Sequence, residues 1–169
     1  RINNAPWFRE RGYLPNPNIK SELQLPKNIT IVPGNSKETF PLGFNLLGAV
    51  MDEASWYTET EDHDVAEDMF NALHSRIKNR FGGKGLMTMI SSPRYVDDFI
   101  EKKMKEAETN NRIFSRRKKL WESKPISLFS GVWIDFEEYK IPAEFETEAK
   151  RNPEAFRRDY LALPVLALE

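Results

Sequence analysis

The stretch LLGAVMDEAS, from Leu46 to Ser55, is an apolar run that ends abruptly in two adjacent carboxylates and then in small residues. A strand that is covered on both faces, as in a parallel sheet, shows a continuous apolar run instead of alternation. The pattern therefore predicts a buried strand that delivers Asp52 and Glu53 to its carboxyl end. Ligands of open α/β sheets bind at that edge, where two acids suit a nucleotide's metal and its attacking water. The alternative is a strand followed by a helix whose first turn favours acidic residues.

The composition is that of a folded protein about one domain in size. Its 169 residues are 40% hydrophobic and 12% aromatic, which argues against disorder. No apolar stretch approaches the length of a membrane span, and no signal peptide is visible. The lack of cysteine excludes disulfides and thiolate metal sites and fits a reducing compartment. The chain starts without Met, and Leu168-Glu169 resembles a cloning scar, so we expect a fragment of a longer protein.

A net charge of −1 hides a separation of charges along the chain. From Asp52 to Asp68 there are eight acids and no Lys or Arg, whereas Lys102 to Lys124 contains nine basic residues and three acids. Charge runs of this kind are commonly solvated surfaces. The alternative is that the basic segment contacts a phosphate backbone.

The first part of the chain is predicted to be an arm leading to a small strand. Residues 1–27 contain four prolines and few periodic apolar positions, so we expect them to be largely irregular. Asn28 to Val32 is a short β-rich run that Pro33-Gly34 stops, and a loop then leads into the strand at Leu46.

The next part follows a strand, helix, strand, helix order, which is typical of a parallel sheet. Apolar residues at helical spacing predict a helix from about Asp62 to Arg80 with Val65, Ala66, Met69, Leu73 and Ile77 on its buried face. Gly82-Gly83 ends that helix. Leu86 to Ile90 is a second apolar strand, and a helix from about Tyr95 to Thr109 is expected to bury Phe99, Ile100 and Met104.

The last third gives weaker patterns. Two runs, Ile113 to Trp121 and Gly131 to Phe136, are candidate edge strands, although they carry many charges. Helices are predicted from Pro142 to Lys150 and from Pro153 to Leu163, each with a proline near its start.

Two strand tips together predict a catalytic constellation. A right-handed crossover would set the strands ending at Glu53 and Ser91 side by side or nearly so, with both tips at one edge. Hydrolysis of a phosphoanhydride requires Mg²⁺, an aligned water and a polar sensor of the γ-phosphate. We assign Asp52 to the metal's water shell, Glu53 to the attacking water, and Ser91 or Ser92 to the water and phosphate. The structural alternative for the serines is a helix N-cap before Tyr95.

Other polar residues have simpler explanations. His63 and His74 lack ligand-like partners at useful spacing and are expected to be exposed helix positions. Asp97-Asp98 is expected to lie in the first turn of a helix instead of binding metal. Four adjacent basic residues would line a DNA path, gripping phosphates without base readout, or else form a solvated edge strand; they are Arg116, Arg117, Lys118 and Lys119.

Four sequence blocks in a fixed order carry a resemblance to a known family. They are LLGAVMDEAS, SSPRYVDDFIEKK, FSRRKKLWESKP and PEAFRRDYLALP. Together they resemble the second half of the ATPase domain of the large terminase subunit of tailed bacteriophages. The resemblance spans Asn28 to Pro164, most of the chain.

The resemblance implies an α/β fold, part of a P-loop NTPase parallel sheet of the ASCE type flanked by helices, with its Walker A half missing. By the same resemblance Asp52 is the Walker B acid that holds Mg²⁺, Glu53 is the catalytic carboxylate, and Ser91-Ser92-Pro93 is the coupling motif. Residues 1–27 would be an arm, 28–125 the Walker B and coupling half, and 126–167 a lid and linker segment leading towards a nuclease domain.

The implied function is that of a motor in a phage or prophage protein of the host cytoplasm. The parent protein would form a homo-oligomeric ring that hydrolyses ATP and moves double-stranded DNA into procapsids. Its partners would be the portal protein and the small terminase subunit, with no membrane involved. The fragment alone would be inactive, because about half of the phosphate contacts of such a site come from a P-loop.

The chain also departs from the family pattern. No GxxxxGK[ST] occurs in it, and GGKG at residues 82–85 follows a helix instead of opening one, so we interpret it as a turn. Only Lys37 lies where the family often has an arginine finger, and no finger is assigned. Two other functions stay open: a helicase-like nucleic-acid ATPase, and a non-catalytic scaffold or docking module.

Overall fold

A computed structural model describes residues 4–35, 43–57 and 64–166 of the chain. It divides into two compact units, Arg1–Phe40 and Pro41–Glu169. Lys37, His63 and Leu168-Glu169, which the sequence singled out, lie outside the described residues.

The first unit is built from one helix and one hairpin. Helix α1 (Pro6–Glu10) begins with proline, whose fixed φ suits the first helical turn. Strands β1 (Leu23–Leu25) and β2 (Ile29–Ile31) pair antiparallel, and β2 confirms the predicted strand at residues 28–32. None of residues 4–35 is buried, so the described part of this unit has no closed apolar core.

The second unit starts with the strand and helix that the opening motif predicts. Strand β3 (Gly48–Asp52) leads through a turn to helix α2 (Val65–Phe81), whose first turn is capped by the Asp64 carboxylate accepting the Glu67 amide N–H. The predicted apolar face is confirmed at the four fully buried positions, while Val65 is only half-buried; those four are Ala66, Met69, Leu73 and Ile77.

The glycine-rich run after α2 is a turn, as predicted. Gly82 ends the helix with a φ of 56°, which glycine adopts without strain. A Cβ on Gly85 would lie 2.0 Å from Cγ2 of Ile77, so this position admits no side chain. The glycines therefore serve helix termination and close packing on α2.

Strand β4 (Leu86–Ile90) follows, with the predicted bounds, and pairs parallel with β3 from Gly48↔Leu86 to Asp52↔Ile90. The predicted burial on both faces of β3 is wrong for the described residues. Met51 is buried against α2, but Val50 is 66% exposed and Leu86 is 69% exposed. Within the described residues only two strands form this sheet, and helices cover one of its faces.

Helix α3 (Phe99–Ala107) starts four residues later than the pattern predicted. Its N-cap is Asp98, which accepts the Glu101 amide N–H at 2.9 Å, so the alternative role of Ser91 and Ser92 as caps is wrong. Phe99 is buried as expected, and Ile100 and Met104 are half-buried. The helix packs beside α2, to which Lys103 forms an ion pair through Glu67 at 3.2 Å.

The remaining chain forms a second apolar cluster. Strands β5 (Trp133–Phe136) and β6 (Tyr139–Pro142) form an antiparallel hairpin, and helices α4 (Glu146–Arg151) and α5 (Pro153–Asp159) pack on it. The cluster buries five side chains; they are Trp121, Ile141, Ala149, Phe156 and Leu161.

Two element predictions in this part are wrong. The run Ile113 to Trp121 is not a strand: residues 113–119 have no regular secondary structure, and Leu120 and Trp121 begin a 3₁₀ helix (Leu120–Ser123). None of the described strands pairs with this run, and a strand requires such a partner. Pro142 does not start a helix: it ends β6, and helical turns begin only at Ala143. Both predicted helices are shorter than expected. No described helix has the length and apolar character that a membrane crossing requires.

Candidate functional site

The carboxyl ends of β3 and β4 bring the predicted acids and serines to one edge. Asp52 pairs with Ile90 in the parallel register, so Glu53 and Ser91 each follow directly after a paired position. This is the arrangement expected if both strand tips contribute to one site.

The chain turns sharply at the end of β3. Glu53 has a left-handed backbone with a φ of 52°, uncommon for a residue with a Cβ. Its carbonyl accepts the Trp56 amide N–H at 2.8 Å, which closes a 3₁₀ turn over Ala54–Trp56. Ala54 is fully buried in this turn, whereas both carboxylates are exposed. The turn therefore directs the residues after Glu53 away from the carboxyl end of β3, and the side chains of Asp52 and Glu53 stay exposed to solvent.

A hydrogen bond joins the two strand tips. The Ser55 amide N–H donates to Oγ of Ser91 at 3.0 Å, and the Ser91 hydroxyl donates to the Ser92 carbonyl at 2.9 Å. Ser92 itself is exposed. Ser91 thus links the turn that follows the acids to the loop that follows β4.

Ser55 was not singled out from the sequence. It is only 4% exposed, and its buried hydroxyl has no hydrogen-bond partner among the described residues. A buried polar atom of this kind is rare in folded proteins. The only sequence signal was its position three residues after Asp52, inside the block that carries the family resemblance.

Asp52 and Glu53 form no ion pair with any residue that the structure describes. Burial, and second the negative charge of Asp52, raise the pKa of the Tyr57 phenol above its ordinary value. Tyr57 therefore stays protonated beside the acidic edge.

The donor set suits a cation that keeps much of its water. Within the described ranges no group of three or more His, Asp or Glu side chains is placed to hold a metal. Mg²⁺ is commonly bound through one or two carboxylates, with water and substrate phosphates supplying its other ligands. Asp52 and Glu53 fit that mode, and they do not fit an all-protein cage.

The predicted basic residues differ in what their side chains contact. Arg117 donates two hydrogen bonds to the buried Glu101 carboxylate, at 2.6 and 2.8 Å, and a third to the Ala162 carbonyl. Lys119 lies over the Tyr139 ring, 4.9 Å from its centroid. Arg116 and Lys118 are exposed. The structure therefore leaves two of the four predicted residues facing solvent.

A cavity of about 470 Å³ lies between the end of β4, α3 and residues 113–118, which contain three of these basic side chains. Ser91 and Arg116 are both in its wall, together with the apolar side chains of Ile100 and Met104. Residues 113–118 and Ser91, which follows β4, therefore border the same cavity.

The described residues that were given simpler explanations, His74 and Asp97-Asp98, are accounted for by packing, surface pairing and helix capping. His74 is exposed and stacks on Phe70, with ring centroids 5.6 Å apart. Asp97 pairs with Lys105 at 3.0 Å on the surface, and Asp98 is the N-cap described above.

Comparison with protein families gives one match. The family described as "Uncharacterized protein MJ0330, N-terminal P-loop domain" matches residues 1–149. Searches of curated proteins and of solved structures gave no significant match. The match extends over β1 to β6 and includes both strand tips, while the P-loop motif GxxxxGK[ST] does not occur in these 169 residues.

Proposed function

Because the chain belongs to the family of the MJ0330 N-terminal P-loop domain, we propose that it carries the hydrolytic edge of a P-loop NTPase. The four sequence blocks extend this proposal to an ATP-driven motor of the phage terminase type. P-loop domains bind nucleotides, and the exposed acids of this chain lie where such domains bind their ligands. The terminase assignment rests on the four sequence blocks and goes beyond the family match.

One observation carries the proposal: the Ser55 amide N–H donates to Oγ of Ser91 at 3.0 Å. It ties the turn after Asp52 and Glu53 to the loop after β4. A change at the acids on loss of a phosphate would therefore reach Ser91 directly. Such a connection is what a residue that couples hydrolysis to movement requires.

Each acid and serine at this edge has its own proposed role in ATP hydrolysis. Asp52 would hold the water shell of Mg²⁺, an ion that offsets the negative charge of the transferring phosphoryl group. Glu53 orients the attacking water and accepts its proton. Ser91 would contact the water and γ-phosphate when its hydroxyl leaves the Ser92 carbonyl, and the exposed Ser92 would supply a second hydroxyl. The left-handed turn at Glu53 keeps both carboxylates accessible to these ligands.

Double-stranded DNA is the proposed substrate for movement. Arg116 and Lys118 are exposed on the segment that borders the cavity beside Ser91. Contacts to phosphates position a protein on DNA without selecting sequence, which suits a motor that must pass any sequence. A homo-oligomeric ring, a portal protein and a small terminase subunit are the partners that this function would require.

The test is hydrolysis by a protein that joins this chain to a GxxxxGK[ST] segment. Glu53→Gln is expected to lower the rate of ATP hydrolysis roughly 100-fold or more, because it removes the general base, while ATP binding is retained. The matched control is Glu108→Gln, a change at an exposed carboxylate next to the end of α3. The 169 residues alone are expected to show no measurable hydrolysis.

The outcomes separate the rival functions. Unchanged hydrolysis in Glu53→Gln would refute the assigned role of Glu53. A joined protein that neither binds ATP nor responds to DNA would instead support the non-catalytic docking module. DNA-stimulated hydrolysis accompanied by strand separation would support a helicase-like ATPase.

A further inference from the structure

We propose that Arg94 binds phosphate oxygens of the nucleotide at the edge formed by Asp52 and Glu53. The inference rests on the proposed function and adds a cationic group to a site whose assigned residues are acidic or neutral. Arg94 is the third residue after Ser91, in the loop between β4 and α3.

The backbone of Arg94 is held on both sides. Its amide N–H donates to Oδ2 of Asp98 at 2.7 Å, and its carbonyl accepts the Val165 amide N–H at 3.3 Å. The backbone of Arg94 therefore has a fixed position next to the end of β4. Its guanidinium can change position while the backbone stays in place.

The guanidinium rests on aromatic rings. Its central carbon lies 4.8 Å from the Tyr95 ring centroid and 5.5 Å from that of Trp56, the last residue of the turn after the acids. A cation over a ring is attracted by the ring's face. The contact thus holds the positive charge of Arg94 beside the turn that follows Asp52 and Glu53.

No described residue satisfies the N–H groups of this guanidinium. Arg94 forms no ion pair or hydrogen bond through its side chain with any residue that the structure describes. Arg158 gives the contrast: it lies equally close to Trp56, at 5.5 Å, yet donates two hydrogen bonds to Asp159, at 2.8 and 3.1 Å. Arg158 is neutralised, while Arg94 keeps its charge and its donors for a ligand.

The charge and planar shape of the Arg94 guanidinium favour a phosphate ligand. Two unpaired carboxylates would repel a polyphosphate, and a cation at the same edge offsets that repulsion. The planar fork of an arginine matches phosphate oxygens and forms charge-assisted hydrogen bonds with them. The ligand that we infer is therefore the phosphate chain of a nucleotide. Its binding would move the Arg94 guanidinium away from the Trp56 ring and so change the fluorescence emission of Trp56.

The experiment titrates the chain with inorganic tripolyphosphate and records tryptophan emission together with the heat of binding. Arg94→Gln is expected to weaken binding at least about tenfold, the loss of charge-assisted hydrogen bonds. Arg158→Gln, the matched control on the same ring, should stay within about twofold. Trp56→Phe should abolish the change in emission but keep the heat.

Three results would overturn the inference: no binding by the unchanged chain, equal weakening in the two arginine variants, or full affinity in Arg94→Gln. Arg94→Lys keeps the charge without the fork and should recover part of the affinity. Glu53→Gln should bind tripolyphosphate at least as tightly as the unchanged chain. Failure of Glu53 in hydrolysis and failure of Arg94 in phosphate binding are thus separate outcomes.

Discussion

The hydroxyl of Ser55 is buried without a hydrogen-bond partner among the described residues, which makes Ser55→Ala informative. We expect this substitution to raise the free energy of unfolding by about 1 kcal/mol, because it removes an unsatisfied polar atom. The link to Ser91 is kept, since it uses the Ser55 backbone N–H. Urea denaturation followed by circular dichroism measures the change.

Ser115→Ala is the matched control for Ser55→Ala. Ser115 is exposed, so its replacement should alter the free energy of unfolding by less than about 0.5 kcal/mol. A loss of stability in Ser55→Ala would mean that the hydroxyl is paired in solution, and that the turn after the acids depends on it.

At the scale of single residues, positions at strand ends were predictable and contacts between them were not. The apolar run before Asp52 and Glu53 places the two acids at a strand tip without any tertiary information. The hydrogen bond from Ser55 to Ser91 spans 36 positions and depends on the register between β3 and β4. Nothing local to either serine encodes that register.

Helix α3 depends on one capping carboxylate. Asp98 is 6% exposed and accepts three amide N–H groups, those of Arg94, Tyr95 and Glu101, at 2.7, 3.3 and 2.9 Å. Asp98→Ala is expected to lower the free energy of unfolding by about 2 kcal/mol, because it removes the cap and leaves buried donors unsatisfied. Thermal denaturation measures the effect.

The neighbouring Asp97 supplies the control for Asp98. Its side chain is 80% exposed, and its ion pair with Lys105 lies on the surface. Exposed pairs of this kind contribute little, so Asp97→Ala should change the free energy of unfolding by less than about 0.5 kcal/mol. Equal losses in the two variants would show that Asp98 acts through its charge and not through its hydrogen bonds.

Elements with a strong apolar pattern, such as helix α2 and strand β4, were predictable, and the weakly patterned run 113–121 was not. The spacing of Ala66, Met69, Leu73 and Ile77 determines a helix from local sequence alone. The run 113–121 was predicted as a strand, but a strand requires a neighbouring edge, and none of the described strands pairs with this run. The start of α3 was predicted four residues too early, because the sequence does not show which polar residue caps the helix. In the structure the Asp98 carboxylate is the cap.

At the scale of the whole second unit, two apolar clusters are joined through polar contacts of residues 117–120, which follow α3 in the chain. Arg117 binds Glu101 of α3, and the Leu120 amide N–H donates to the Tyr160 carbonyl at 2.8 Å. The isolated bridge between Tyr95 and Val165 adds a third connection. Arg117 therefore fixes the course of the segment, and its neighbours in sequence are turned outwards.

This division of roles predicts how DNA binding responds to salt. Replacement of Arg116 and Lys118 together by Ala should weaken binding to duplex DNA and reduce the slope of log K against log salt by about 2, since each phosphate contact contributes about 0.9. Fluorescence anisotropy between about 50 and 200 mM salt covers the range in which phosphate contacts weaken binding strongly. An unchanged slope would assign these residues to a solvated surface.

Arg117 should behave differently from its two neighbours. Arg117→Ala leaves the buried Glu101 carboxylate unpaired and should cost about 3 kcal/mol of stability. Replacing both partners, Arg117→Met with Glu101→Met, removes the charges together and should restore a folded protein. Because the guanidinium is already committed to Glu101 and Ala162, the folded double variant should keep the salt slope of the unchanged chain. A slope reduced by about 1 would mean that Arg117 also contacts a phosphate.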